Sequence, residues 1–158
     1  MKGSKTIIDM LNGILAVELT AINEYFLHAR MLDNWGYKKL GEKIYSESIE
    51  EMKHAQKLID RILFLEGLAN VQHILKVNIG ENAEEMFKAD LQMEIDGRKG
   101  LVDGIALCLK EQDNVSRTIL EEILRDSENH IDWLETQLSI IKDISLPNYL
   151  AQQIEAKA

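Results

Sequence analysis

A chain of 158 residues with 46% hydrophobic and 28% charged residues, nine glycines and one proline can bury a core without disulfides or a structural metal. Eighteen Lys+Arg against twenty-seven Asp+Glu give a formal charge of −9, and with no basic patch along the chain this disfavours nucleic acid as a partner. The single cysteine, Cys108, allows no intrachain bridge, and no charged-then-apolar leader or run of about 18 apolar residues marks a membrane partner, so a cytoplasmic setting is expected.

From Thr6 to Trp35, the residues Ile7, Leu11, Ile14, Leu15, Leu19, Ile22, Phe26 and Ala29 recur at helical spacing, with Ser4 available as a cap. This predicts a first helix of about 43 Å. A second segment begins after Gly36 and runs to Glu66 through Leu40, Ile44, Tyr45, Ile49, Met52, Leu58, Ile59, Ile62 and Leu63, with Gly67 as the expected C′ residue. Residues 67–81 lack clear periodicity and read as an extended crossover, whose length is explained if it joins two parallel long helices end to end. Asn82 then opens a third helix, with Glu85 completing a capping box and Met86, Phe87, Leu91, Ile95, Leu101, Ile105 and Leu109 as its stripe. After a break at Gln112, Asp113 and Asn114, a fourth helix carries Val115, Ile119, Leu120, Ile123, Leu124, Ile131, Leu134, Leu138 and Ile141, and Pro147 starts a short fifth. The expected fold is all-α, one domain over residues 1–158: a four-helix bundle with one long crossover and a short C-terminal fifth helix.

Each long helix directs an ionisable group into its apolar line. Glu18 falls between Leu15 and Ile22, Glu51 and His54 between Ile44 and Leu58, Glu94 between Leu91 and Leu101, and His130 between Ile123 and Leu134. Alone, each has a plain structural reading: a glutamate at a stripe edge snorkels, and a core histidine finds a hydrogen bond. Together they are costly unless protonated, paired or bound to metal. Glu51-x-x-His54 places an oxygen and a nitrogen donor on one helical face, and carboxylates with imidazoles and no thiolate suit iron or manganese better than zinc.

Met1-Lys2-Gly3, Glu18 to Asn23, Tyr25 to Met31, Glu51 to Ala55, Arg61 to Gly67, Val115-Ser116-Arg117 and His130 to Leu138 resemble the bacterioferritin family over essentially the whole chain. The resemblance implies a ferritin-like bundle in which Glu18 and His54 are terminal ligands of one iron, Glu94 and His130 of the other, and Glu51 bridges the two. The second bridging carboxylate would stand three residues before His130, where this chain has Ser127. Asp126 and Glu128 are the nearest substitutes, but the first is rotated about 100° from the lost position and the second points to nearly the opposite side. The family's cavity-side histidine and aspartate are Ser46 and Glu50 here, while the residue matching the haem ligand is intact as Met52, on an outward stripe with Tyr45, Ile49, Ile59 and Leu63.

The function implied is an iron-storage subunit of a hollow shell of twenty-four copies that oxidises Fe(II) at an intrasubunit di-iron site and binds haem b between paired subunits, with a ferredoxin-like electron donor. The alternative is a haem-binding, electron-transfer subunit of a mixed shell in which a second subunit type supplies ferroxidase activity. A metal-free structural bundle is the third reading. The absence of Cys-x-x-Cys pairs speaks against a rubrerythrin-like peroxidase, and the absence of a basic tail against a DNA-protecting mini-ferritin. His28 reads as polar filler or an assembly contact, His73 as a crossover residue and Cys108 as a small buried hydrophobe.

Overall fold

The computed structural model describes residues 1–155; the last three residues of the expected domain lie outside the described residues. Five helices follow in chain order: α1 (Lys5–Asn34), α2 (Lys38–Phe64), α3 (Ala83–Glu111), α4 (Asn114–Ile144) and α5 (Leu146–Ala151). The caps are those the sequence offers. Ser4 Oγ accepts the Ile7 amide, Asn82 Oδ1 the Glu85 amide and Asp113 Oδ1 the Ser116 amide. Glu85 reaches back one residue further than a capping box requires, to the Glu81 amide.

The end of α2 differs from expectation. Glu66, not Gly67, takes the left-handed conformation (φ 61°), and the Gly67 amide closes the helix by donating to Ile62 O. Gly67 is there for space: a Cβ on it would come within 2.8 Å of Ile8 Cγ2. Glycine supplies the conformation itself at Gly36 (φ 94°), between α1 and α2.

α1 packs against α2 and α3, α3 against α4, and α2 meets α4. The crossover, residues 65–82, runs along α1 in the same direction, held by side chains at helical spacing. Asn12 bonds Leu68 O and the Asn70 amide, Thr20 Oγ1 accepts the Leu75 amide, Glu24 the Asn78 amide and His28 Nε2 the Gly80 amide. The crossover is mostly exposed, and this stripe pairs the amides on the side that lies against α1, down to the buried Gly80. Among the described residues, α1 alone is long and apolar enough on average to cross a membrane. The same helix buries Glu18, Glu24 and His28 inside the bundle, which marks it as a core helix.

Some stripe positions lie outside the core. Phe26, Ile95, Leu109 and Val115 are exposed, as are Tyr45, Met52 and Leu63 on the outward stripe of α2. The core itself is split in two. One apolar cluster holds Leu11, Leu15, Leu58, Ile62, Leu101 and Ile123; the other holds Tyr25, Ile44, Phe87, Leu134, Ile141 and Tyr149. Glu18, Glu51, His54, Glu94, Ser127 and His130 lie between them in sequence on every long helix, and all are buried.

Candidate metal centre

The polar layer is built from two triads joined at one residue. In Glu18–Glu51–His54 and in Glu51–Glu94–His130, one donor atom from each side chain lies within 4.8 Å of the others. His54 Nδ1 is 3.1 Å from Glu51 Oε2 and 3.7 Å from Glu18 Oε2. His130 Nδ1 is 3.0 Å from Glu94 Oε1 and 3.2 Å from Glu51 Oε1. Both Nδ1 atoms therefore face Glu51 from opposite sides, and all five residues singled out in the sequence come together.

Each ring's other nitrogen faces a second carboxylate set. His54 Nε2 lies 2.8 Å from Asp126 Oδ2, and His130 Nε2 lies 2.9 Å from Glu50 Oε2 and also pairs with Glu47. Asp126 thus stands on the far side of the His54 ring from Glu51, and it does not replace a carboxylate at position 127. Glu128 is exposed and 3.7 Å from Arg98. Ser127 is buried and donates from Oγ to Glu94 Oε2 at 2.7 Å. Ser46 is exposed and bonds the Lys43 carbonyl of its own helix.

The electrostatics show protons standing where cations would. Burial and the adjacent Glu51 carboxylate hold the Glu18 carboxyl well above its usual range. Burial opposes ionisation of Glu51, but hydrogen bonds from Glu18, His130 and His54 outweigh it and keep that carboxyl low. The imidazoles go the other way: against burial, the Glu18 and Glu51 carboxylates raise His54 to about 11, and Glu47, Glu51 and Glu94 raise His130 as well. Burial also raises Glu94, despite donors from His130 and Tyr25. Protonated imidazoles and a protonated Glu18 thus close on one shared carboxylate, a set whose protons divalent cations can displace.

Several participants escaped the sequence reading. Tyr25 Oη donates to Glu94 Oε1 at 2.7 Å, and its ring meets His130 edge-on at 6.2 Å. Asp126 was read only as a substitute for a carboxylate at position 127, and Glu47 not at all, because what distinguishes both is the far nitrogen of an imidazole. His28 is more than polar filler: it is fully buried, and because its Nε2 accepts the Gly80 amide, its proton sits on Nδ1, 3.0 Å from Asp90 Oδ1. Burial lowers His28 to about 4 and raises Glu24 and Asp90 to about 8. Cys108 is buried, as expected, and His73 is exposed on the crossover.

Met52 lies apart from this layer, 53% exposed on the outer face of α2, where Tyr45 tilts against Phe26 at 6.2 Å.

A ferritin-like domain profile matches residues 8–144. The chain is 44% identical over 152 residues to a bacterioferritin of Mycolicibacterium paratuberculosis, covering 96% of each chain. It is 45% identical over 152 residues to bacterioferritin BfrA of Mycobacterium tuberculosis, again with 96% of each covered. A bacterioferritin of Brucella melitensis is 46% identical over 149 residues, which is 94% of this chain and 92% of that protein.

Proposed function

Because the chain belongs to the ferritin-like domain family, and within it to the bacterioferritins, we propose that it is a cytoplasmic iron-storage subunit, one domain over its 158 residues, that oxidises Fe(II) inside its own bundle. The observation that carries this reading is the pair of buried triads sharing Glu51. Glu18 and His54 would hold one Fe(II) substrate ion, Glu94 and His130 the other, and Glu51 would touch both. Asp126 orients His54, and Glu47 with Glu50 orients His130, by accepting their Nε2 protons. Dioxygen is the oxidant this reading names.

The oligomer is proposed to be a hollow shell of about twenty-four copies with the ferric mineral inside, as the family resemblance implies. Exposed Met52, Tyr45, Phe26 and Trp35 give the chain apolar surface that a second copy would cover. Met52 is the residue proposed to hold haem b there. Its thioether is exposed on an apolar face, which suits an axial ligand shared across a two-fold contact. When bound, haem would supply one-electron transfer, with a ferredoxin-like protein as donor.

A second reading is favoured by one residue. Ser127 leaves α4 without the carboxylate that α2 has three residues before its histidine, and the chain then serves as a haem and electron-transfer subunit in a mixed shell whose other subunit oxidises iron. Anaerobic Fe(II) titration of the purified homopolymer, followed by oxygen, separates the two. A fast phase saturating near about two irons per subunit supports the first reading, and its absence with haem retained supports the second.

A further inference from the structure

A cavity of about 280 Å³ opens between α1 and α3 and runs inward to the polar layer. Four glycines line it, Gly13, Gly97, Gly100 and Gly104. Gly13 and Gly100 are exposed, with no atom within 4 Å of where a Cβ would stand, whereas a Cβ on Gly97 would come within 3.1 Å of Val17 Cγ1 and one on Gly104 within 2.9 Å of Leu120 Cδ1. At its inner end are Glu18, Glu51, Glu94 and Ser127.

Ser127 is also where the two halves of the layer stop matching. Each half pairs an imidazole Nδ1 with a glutamate from α1 or α3 and with the shared Glu51. On α2 a carboxylate stands three residues before the histidine; on α4 a hydroxyl does. Two divalent ions would bring four positive charges to the three carboxylates that face them, leaving one charge that is offset only from behind the imidazoles, by Glu47, Glu50 and Asp126. Such a charge is costly unless an anion joins it. The missing group and the open volume coincide at Ser127.

We propose that this cavity binds a small monocarboxylate, of the size of formate or acetate, which lies beside Ser127 and supplies the metal-loaded layer with the bridging oxygens that α4 does not. This rests on the metal-centre reading above. The largely apolar walls accommodate the hydrogen or methyl end of the ligand, while its oxygens face the layer beside Ser127, whose own proton is donated to Glu94 Oε2. Asp103, also on the wall, disfavours an anion in the metal-free protein, so binding follows metal loading.

The test is a titration of the purified, metal-free full-length protein with Co(II), read by its visible absorption, in chloride and then with formate or acetate. Either carboxylate should lower the dissociation constant of the second Co(II) at least tenfold and change its spectrum. Ser127→Glu should bind the second ion tightly in chloride and gain nothing from formate. Gly13→Leu, favourable in helix propensity, extends a side chain into the open space and should reduce the formate effect while leaving helicity unchanged. No carboxylate dependence in the unmodified protein overturns the proposal, as does an equal dependence in Ser127→Glu. If neither protein binds Co(II) stoichiometrically, the metal-centre reading itself fails, and this inference with it.

Discussion

Ser127 Oγ donates to Glu94 Oε2 across 2.7 Å, while Tyr25 Oη occupies the other oxygen of the same carboxylate at the same distance. The hydroxyl that stands where α4 could have offered an anion instead serves as a donor to α3. Glu94 is consequently well fixed, and the layer is one carboxylate short of symmetry.

Restoring that carboxylate is the direct test of its importance. Ser127→Glu should accelerate the rapid phase of Fe(II) oxidation at least tenfold, equivalent to about 1.4 kcal/mol of barrier. The adjoining cavity gives the longer side chain room. Stopped-flow absorbance after mixing Fe(II)-loaded protein with oxygen measures it. A fast two-iron phase in the unmodified protein, unchanged by the substitution, would show that the layer works without a fourth carboxylate.

Asp126 should prove to be a positioning residue. Its carboxylate accepts from His54 Nε2 at 2.8 Å and so holds Nδ1 toward Glu51 and Glu18. Asp126→Ala should weaken metal binding about 10–100-fold. Because Asp126 is only partly buried, the thermal midpoint of the metal-free protein should change little. Calorimetric titration with Co(II) alongside thermal unfolding separates the two effects, and a large fall in stability with unaltered affinity would contradict the assignment.

The bundle and its polar layer were legible because both depend on periodicity within single helices. Glu18, Glu51, His54, Glu94 and His130 interrupt apolar stripes, and such interruptions stand out at 3.6-residue spacing. The same periodicity misplaced Phe26, Ile95 and Leu109, since it gives the face of a helix but not how wide a stripe its neighbours cover. At the end of α2 the glycine was read as conformational when its role is close approach to Ile8, a contact 59 residues away in sequence. The Glu24–His28–Asp90 group had no local signal at all. Its meaning comes from the crossover amides of Asn78 and Gly80, which reach α1 from more than 50 residues further along the chain.

That buried group predicts a pH dependence distinct from that of the metal layer. Burial raises Glu24 and Asp90 from 4.5 and 3.8 to about 8. The folded chain therefore retains a proton that the unfolded chain releases, and stability falls as pH rises from about 4.5 to about 8. His28, lowered from 6.5 to about 4, has the opposite sign: the unfolded chain takes up a proton below about 6.5, so stability also falls on acidification through that window. Glu24→Gln keeps the acceptor for the Asn78 amide and carries a permanent donor toward Asp90. In metal-free protein, the thermal midpoint of the unmodified chain should drop by several degrees between about pH 6 and 8 relative to Glu24→Gln. Parallel pH profiles for the two proteins would show that no proton is held there.

Met52 is exposed, and Tyr45 and Leu63 of the same stripe are exposed with it, so the monomer presents apolar surface in a line that leads away from the metal layer. An isologous contact along that line would bring Met52 of each copy to a two-fold axis, where two thioethers could ligate one haem iron. Thioether ligation on both sides should raise the reduction potential relative to bis-histidine haem. Met52→Leu preserves size and apolarity but removes the sulfur, so haem content per subunit, read from the Soret band of the reconstituted protein, should fall to background. Light scattering should still report a large oligomer. Met52→His should bind haem with a shifted spectrum and a lower potential. Undiminished haem in Met52→Leu would place the ligand elsewhere, and a monomer or simple dimer for the unmodified chain at micromolar concentration would remove the two-fold contact on which the argument depends.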